Sequence, residues 1–459
     1  MEQSKGQFNS NFGFLMASLG SAIGLGNLWS FPYKVGVGGG FAFFILYVIL
    51  CVAVGYPLMI SEIAIGRKSQ KAAIQAYEEI HPAFKFNGVL QTVVPFFLLA
   101  FYCTFGGYIT KYLVYSVKAF TGSKVDPMGF FEVTLLSNGA QGMIWMIIFL
   151  VLTVIIVLGG VSGGIEKFCK VAMPALFIML LVIAIRSSTL PGAGDGLTFL
   201  FKPHFEGMST ARGFFDTLTL AGGQMFFSLS LASGCLIAYG SYLDRSQNLE
   251  KNGLIIVIGD STAALLASLA IMPACFAFGI EPGAGPGLLF ISMQTVFNEM
   301  AGGAFFGFMF WLLVFFAALT SSIGMMEGGI SAILDSRIKS GKSANRFTVT
   351  VLMGAWALFG NSLTTLDCLG ASDTVSWFHI LGQSDVLSVW DAVAEGILMP
   401  FTGLIMAILI GWIAPGYIDD EIRKGSDFKT KKFFDFCIKY LGPVFMAMIV
   451  YGQITSFWG

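Results

Sequence analysis

The chain has 459 residues, 56% of them hydrophobic and 12% charged, with a formal net charge of −1 and a mean hydropathy of +0.78. That balance describes a polytopic α-helical membrane protein. Near-neutral charge and three histidines argue against nucleic-acid binding and against histidine-based metal chemistry.

The polar start, residues 1–11, runs into an apolar segment too long for a cleavable leader, so none is expected. Windows of about 20 apolar residues predict eleven spans. They lie near 12–34, 41–66, 88–120, 142–159, 168–186, 213–243, 252–278, 303–335, 346–362, 388–413 and 433–457. With the N-terminus inside, the inner loops collect 18 Lys and Arg and the outer side seven, which places the N-terminus in the cytoplasm and the C-terminus outside. Six of the seven cysteines fall in or beside spans and Cys368 in a long outer loop, so no disulfide framework is expected. No Asn-X-Ser/Thr acceptor occurs.

Span 1 should be an unbroken helix, yet it carries Gly20, Gly24, Gly26, Asn27 and Pro32. Glycine costs about 1 kcal/mol per helical position relative to alanine, and backbone groups freed in lipid cost several more unless something binds them. Gly20 and Gly24 alone read as a helix-packing face. Span 6 changes the balance, because Phe227-Ser-Leu-Ser-Leu-Ala-Ser-Gly234 is a similar interruption. Paired interruptions in matching spans of two halves point to a transport site at mid-bilayer, where bare carbonyls take a cation and bare N–H groups an anion. Five spans separate the two breaks, so the halves run in opposite orientations.

The run Gly20–Tyr33, then Gly38-Gly-Gly-Phe-Ala-Phe and Pro57…Glu62…Gly66-Arg67, resembles the signature of the neurotransmitter:sodium symporter family. Span 6 (Gln224…Phe227-Ser-Leu-Ser) and span 8 (Leu319-Thr-Ser-Ser322) are similar to its other marks. The resemblance implies a leucine-transporter-like fold in one transmembrane domain: two inverted five-helix repeats, about 12–186 and 213–413, plus an extra helix about 433–457. That architecture is the family's. It further implies sodium-driven uptake of a neutral amino acid by alternating access, across the inner membrane of a bacterium.

Residue by residue, the resemblance places one sodium at Ala22, Asn27, Ser228 and Asp260, and a second at Gly20, Ile23, Ala317, Thr320 and Ser321. Oxygen ligands suit a hard cation; hydroxyls at 320–322 bonding back to their own helix are the bland alternative. Asp260 replaces an Asn common in the family, and a carboxylate at mid-membrane is functional by default. Tyr47 and Gln224 match chloride-type positions, but Ala264 stands where a chloride-dependent member has Ser. Asp260 is therefore expected to supply the negative charge itself, making uptake chloride-independent, and to let a proton ride back when sodium leaves. Helix packing is the competing role for Asp260.

The substrate carboxylate is expected at the N–H groups of Leu25 and Gly26 and the Tyr102 hydroxyl, the ammonium at carbonyls of Ala22, Phe227 and Ser230. The resemblance lines the side-chain pocket with Ser21, Leu98, Phe227, Ser230, Ser233, Ser321 and Met325. Gly24 disfavours amines, since monoamine carriers place an Asp there. Ser233 stands where a leucine carrier has Phe, which leaves room for a bulky side chain and favours aromatic or large hydrophobic L-amino acids. A small amino acid is the alternative.

For gates, Lys5, Tyr242 and Asp335, with Glu327 nearby, match an inner latch, although Phe8 replaces a Trp. Asp391 matches the outer acid, with a solvated vestibule residue as its alternative. Ser30 replaces the usual Arg, so Phe227 and water bridges would have to close the outside. In span 5, Gly164 and Pro174 enclose nine residues, similar to an unwinding device, with ordinary kinking as the alternative. A channel lacks its filter ring, an enzyme its nucleophile–base set, and a non-transporting amino-acid sensor of the same fold stays open. Oligomeric state is unreadable.

Overall fold

The computed structural model describes residues 6–280 and 287–458, and the described residues form helices with no strand. Among the described residues, nine helices are long and apolar enough to cross a bilayer: Phe41–Ser69, Pro82–Thr121, Gly139–Leu158, Val161–Ser188, Leu249–Ala277, Gly303–Lys339, Arg346–Asp367, Val386–Ile413 and Lys431–Thr455. They correspond to expected spans 2–5 and 7–11. A tenth crossing is the pair Asn11–Ala22 and Gly26–Val37, bent by 50° at a break, which is span 1. Expected span 6 is likewise two helices, Ala211–Ser228 and Cys235–Ser241, separated by residues 229–234. Among the described residues, then, neither span 1 nor span 6 is an unbroken helix.

Several starts fall outside the apolar windows because polar side chains cap them. Ser10, Asn138, Thr210, Asn248, Asn345 and Asp385 each accept a backbone N–H from the first turn of the helix that follows. Such caps satisfy donors that a helix N-terminus leaves free. Cys368, expected in a loop, instead caps the C-terminus of span 9 in the left-handed region (φ 52°) and is buried, as are the other six cysteines.

Burial sorts the helices into layers. In their most apolar windows, spans 2 and 3 are 67% and 72% buried within the protein, while spans 4 and 11 are 33%. Helices of the second kind keep most of their apolar surface outward, toward lipid. Span 3 packs along span 8, and span 8 packs against the first half of span 1 and the second half of span 6, which also packs on span 2, so both broken helices are set among other helices. Non-helical backbone is tolerated at membrane depth only in such a place.

Candidate functional site

The span 1 helix stops at Ile23, whose backbone is extended (φ −79°, ψ 96°). The loose N–H groups find side chains. Gly24 donates to Asn27 Oδ1 (3.3 Å) and Leu25 to the Tyr102 hydroxyl (3.2 Å). Freed carbonyls are met from two other helices: Ser321 Oγ lies 3.1 Å from the oxygen of Gly20, and Ser230 Oγ 2.8 Å from that of Ser21. Gln224 donates to the carbonyl of Gly26 (2.8 Å) and accepts from Ser30 Oγ (2.9 Å).

In span 6 the unwound stretch turns through three positive-φ residues, Ser230 (51°), Ala232 (57°) and Gly234 (72°). Only glycine adopts that region freely, so Ser230 and Ala232 must be held there. Glu62 of span 2 does part of this by accepting the Ala232 N–H (3.1 Å), and Thr402 donates to the Ala232 carbonyl (3.2 Å).

Asp260 lies between the breaks and is fully buried. Its carboxylate accepts from Asn27 Nδ2 (2.8 Å), the Tyr47 hydroxyl (2.8 Å) and Ser228 Oγ (2.9 and 3.0 Å). All three donors are neutral, and no Lys, Arg or His pairs with it among the described residues. A buried carboxylate without a cation is costly, several kcal/mol even after relaxation. Asn27 and Ser228, expected with Asp260 around one sodium, thus both hydrogen-bond to its carboxylate, and Ala22 is the last residue of the helix before the break.

At the second expected cation position Gly20 meets Thr320 and Ser321. A Cβ on Gly20 would meet Thr320 Cβ at 2.9 Å, so spans 1 and 8 touch there with no room for a side chain. Thr320 Oγ donates back into its own helix, to the carbonyls of Phe316 (3.0 Å) and Ala317 (3.1 Å). Ser321 instead reaches across to span 1. A back-bonded hydroxyl keeps its lone pairs, so Thr320 can still offer oxygen to a cation.

Next to these lies a small pocket lined by Ser21, Ala22, Gly24, Gly26, Leu98, Tyr102, Phe227, Ser230, Ser233, Ser321, Met325 and Met399. All seven expected side-chain-pocket residues are present. Leu25 and Ser228 do not line it; Leu25 acts through its N–H on Tyr102, and Ser228 belongs to the Asp260 cluster. Met399 was missed, because a Met within an apolar span carries no signal that separates a pocket wall from core. The pocket encloses about 20 Å³, room for little more than one water. Phe227 and the flexible Met325 and Met399 would have to yield to a larger guest. A Cβ at Gly24 would lie 2.3 Å from Ser321 Oγ and 2.7 Å from the Tyr102 oxygen, so any side chain there displaces both.

Lys5 lies outside the described residues. Tyr242 donates to Glu327 Oε1 (2.8 Å), and Arg346 pairs with the same carboxylate, a partner the sequence reading did not assign. Asp335 accepts the Ala72 N–H (2.6 Å), and Phe8 packs edge-on against Phe14 and Tyr239. At the other end Ser30 is taken by Gln224, while Lys34 pairs with Glu395 (3.1 Å).

The profile of the sodium:neurotransmitter symporter family matches residues 5–125 and 128–458. An uncharacterized sodium-dependent transporter of Bacillus subtilis, YhdH, is 33% identical over 454 residues, covering 98% of this chain and 97% of the relative. The mouse sodium- and chloride-dependent transporter XTRP3A is 29% identical over 59% of this chain and 49% of its own length. The crystal structure of MhsT in complex with L-phenylalanine is similar in fold, with a TM-score of 0.87, 29% identity, and coverage of 98% of this chain and 100% of that one.

Proposed function

The chain belongs to the sodium:neurotransmitter symporter family, whose members are transporters and not enzymes, and from that premise we propose a chloride-independent symporter for aromatic or large hydrophobic L-amino acids. One observation carries the reading: Asp260 is a buried carboxylate held by three neutral donors between two helix breaks. A cation completes that arrangement electrostatically, and a second anion would oppose it.

Sodium one then sits among Ala22, Asn27, Ser228 and Asp260, and sodium two among Gly20, Ile23, Ala317, Thr320 and Ser321. Two sodium ions entering with a zwitterion carry two charges, about 4.6 kcal/mol per 100 mV at about 2.3 kcal/mol each. That alone supports roughly thousand-fold accumulation. A proton leaving on Asp260 would halve the electrical share. The two-repeat arrangement, 12–186 and 213–413, gives alternating access, with the N-terminus cytoplasmic and the C-terminus outside.

For the substrate, the lining hydroxyls of Ser230 and Ser233 and the similarity to a phenylalanine-bound transporter support a bulky guest. The contracted pocket favours the second reading, a small amino acid. A thermal-shift screen in sodium separates them: stabilisation by phenylalanine, tyrosine, tryptophan or leucine supports the first, and stabilisation confined to glycine and alanine the second. At the gates, Phe227 covers the pocket, the Lys34–Glu395 pair takes the place of the missing Arg, and Tyr242, Glu327 and Asp335 close the inner side.

A further inference from the structure

One wall of the pocket comes from span 10, a helix with no part in the expected side-chain pocket. Its residue Met399 is buried and lines the same space as Ser233 and Met325. Span 10 is wound as a π-helix over Ala392–Leu398, and Met399 closes that turn by donating its N–H to the Ala394 carbonyl. A π turn takes one more residue than an α turn, which shifts the face presented by the residues after it. Pro400 follows and has no N–H to give the Gly396 carbonyl, so one α-helical bond is missing beside Met399.

The same turn is tied to the break in span 6. The Thr402 hydroxyl lies 3.3 Å from the Met399 carbonyl and 3.2 Å from the Ala232 carbonyl, so it bridges the two chains. Asn87 donates to the Thr402 carbonyl from span 3 (3.3 Å). A Cβ at Gly403 would lie 2.9 Å from the ring of Phe226, so span 10 sits directly on the neighbour of the pocket residue Phe227. Ser233 turns its hydroxyl back onto the Ser230 carbonyl (2.7 Å). The backbone under Met399 is thus fixed against span 6, next to a pocket residue that is itself small.

We propose that Met399 is a specificity-determining residue, whose side chain sets the largest substrate side chain that the pocket accepts. The inference rests on the amino-acid symport reading above and deepens it. The pocket encloses about 20 Å³, so a bulky guest enters only if a wall gives way. The anchors of Met399 are all backbone atoms, while its thioether is unbranched and turns about three bonds. The side chain can therefore fold aside while the helix stays in place. Glycine or alanine leaves it where it is; an aromatic ring displaces it.

The test titrates the purified full chain in sodium with glycine, alanine, leucine, phenylalanine and tryptophan, and reads half-saturation from thermal stabilisation. Met399→Ala opens the wall, Met399→Phe fills it, and Met399→Leu conserves its volume. The readout is the ratio of half-saturating concentrations between the largest and smallest guests that bind. Expected is that Met399→Ala shifts this ratio about tenfold toward the larger guest and Met399→Phe shifts it about tenfold toward the smaller, the scale of a methylene or two in an apolar pocket. Met399→Leu should keep the parent's order. Where the parent binds one guest alone, Met399→Ala should add a larger one. Ratios equal to the parent's in whichever of the Ala and Phe variants fold, or a uniform weakening for every guest, would overturn the assignment. So would a shift in Met399→Leu as large as that in Met399→Ala, since volume would then not be what is read. A parent stabilised by none of the five amino acids would instead sink the amino-acid reading, and the assignment with it.

Discussion

Lys34 Nζ lies 3.1 Å from Glu395 Oε1, and each residue stands four positions after a gate position, Ser30 on span 1 and Asp391 on span 10. The two helices run antiparallel in the proposed topology, so Lys34 reaches inward and Glu395 lies deeper. Their side chains are 15% and 10% exposed, which leaves little water to screen the pair.

Removing one partner of a mostly buried pair leaves the other charge uncompensated. Lys34→Ala and Glu395→Ala should each speed dissociation of bound radiolabelled substrate by about tenfold, roughly 1.4 kcal/mol. Exchanging the two residues, Lys34→Glu with Glu395→Lys, should restore much of the loss. Dissociation rates unchanged in both single variants would remove the pair from the gate.

Asp260→Asn keeps the shape of the side chain and removes its charge. Sodium half-saturation should rise by about tenfold or more, and adding Ala264→Ser should make uptake respond to chloride. The ionic dependence of uptake in matched sodium chloride and sodium gluconate reads both effects. Unaltered sodium affinity in Asp260→Asn would mean that the carboxylate is not a ligand.

At Gly24 even one methyl group meets Ser321 and Tyr102. Gly24→Ala should therefore abolish substrate-induced thermal stabilisation and cost about 1–3 kcal/mol by overpacking. Ordinary stabilisation by substrate would show that the pocket lies elsewhere.

Glu62 is tested through the N–H it accepts. Glu62→Ala orphans the Ala232 donor, a loss of about 1–3 kcal/mol, while Glu62→Gln retains an acceptor oxygen and should unfold close to the parent. Equal melting temperatures for Glu62→Ala and the parent would contradict a supporting role for the span 6 break.

Much of the candidate site was legible in the sequence because helix breakers and a lone carboxylate are out of place in apolar spans. Gly20–Asn27, Phe227–Gly234 and Asp260 stand out against lipid-solvent physics, and the structure brings them together. The seven pocket residues came by resemblance, and they too converge. What stayed hidden depends on which helices face each other. Lys34 with Glu395 and Arg346 with Glu327 are charges visible in the sequence, but their pairing across 361 and 19 residues is not. Met399 carries no polarity to notice. The cap at Cys368 turns on a left-handed backbone angle in a residue that has no special preference for one.

Accumulation of radiolabelled L-phenylalanine in proteoliposomes tests the sodium-coupled, chloride-free mechanism most directly. With an inward sodium gradient, the label should concentrate inside and should do so equally when chloride is replaced by gluconate. Accumulation that ignores the sodium gradient, or that collapses in gluconate, would contradict it.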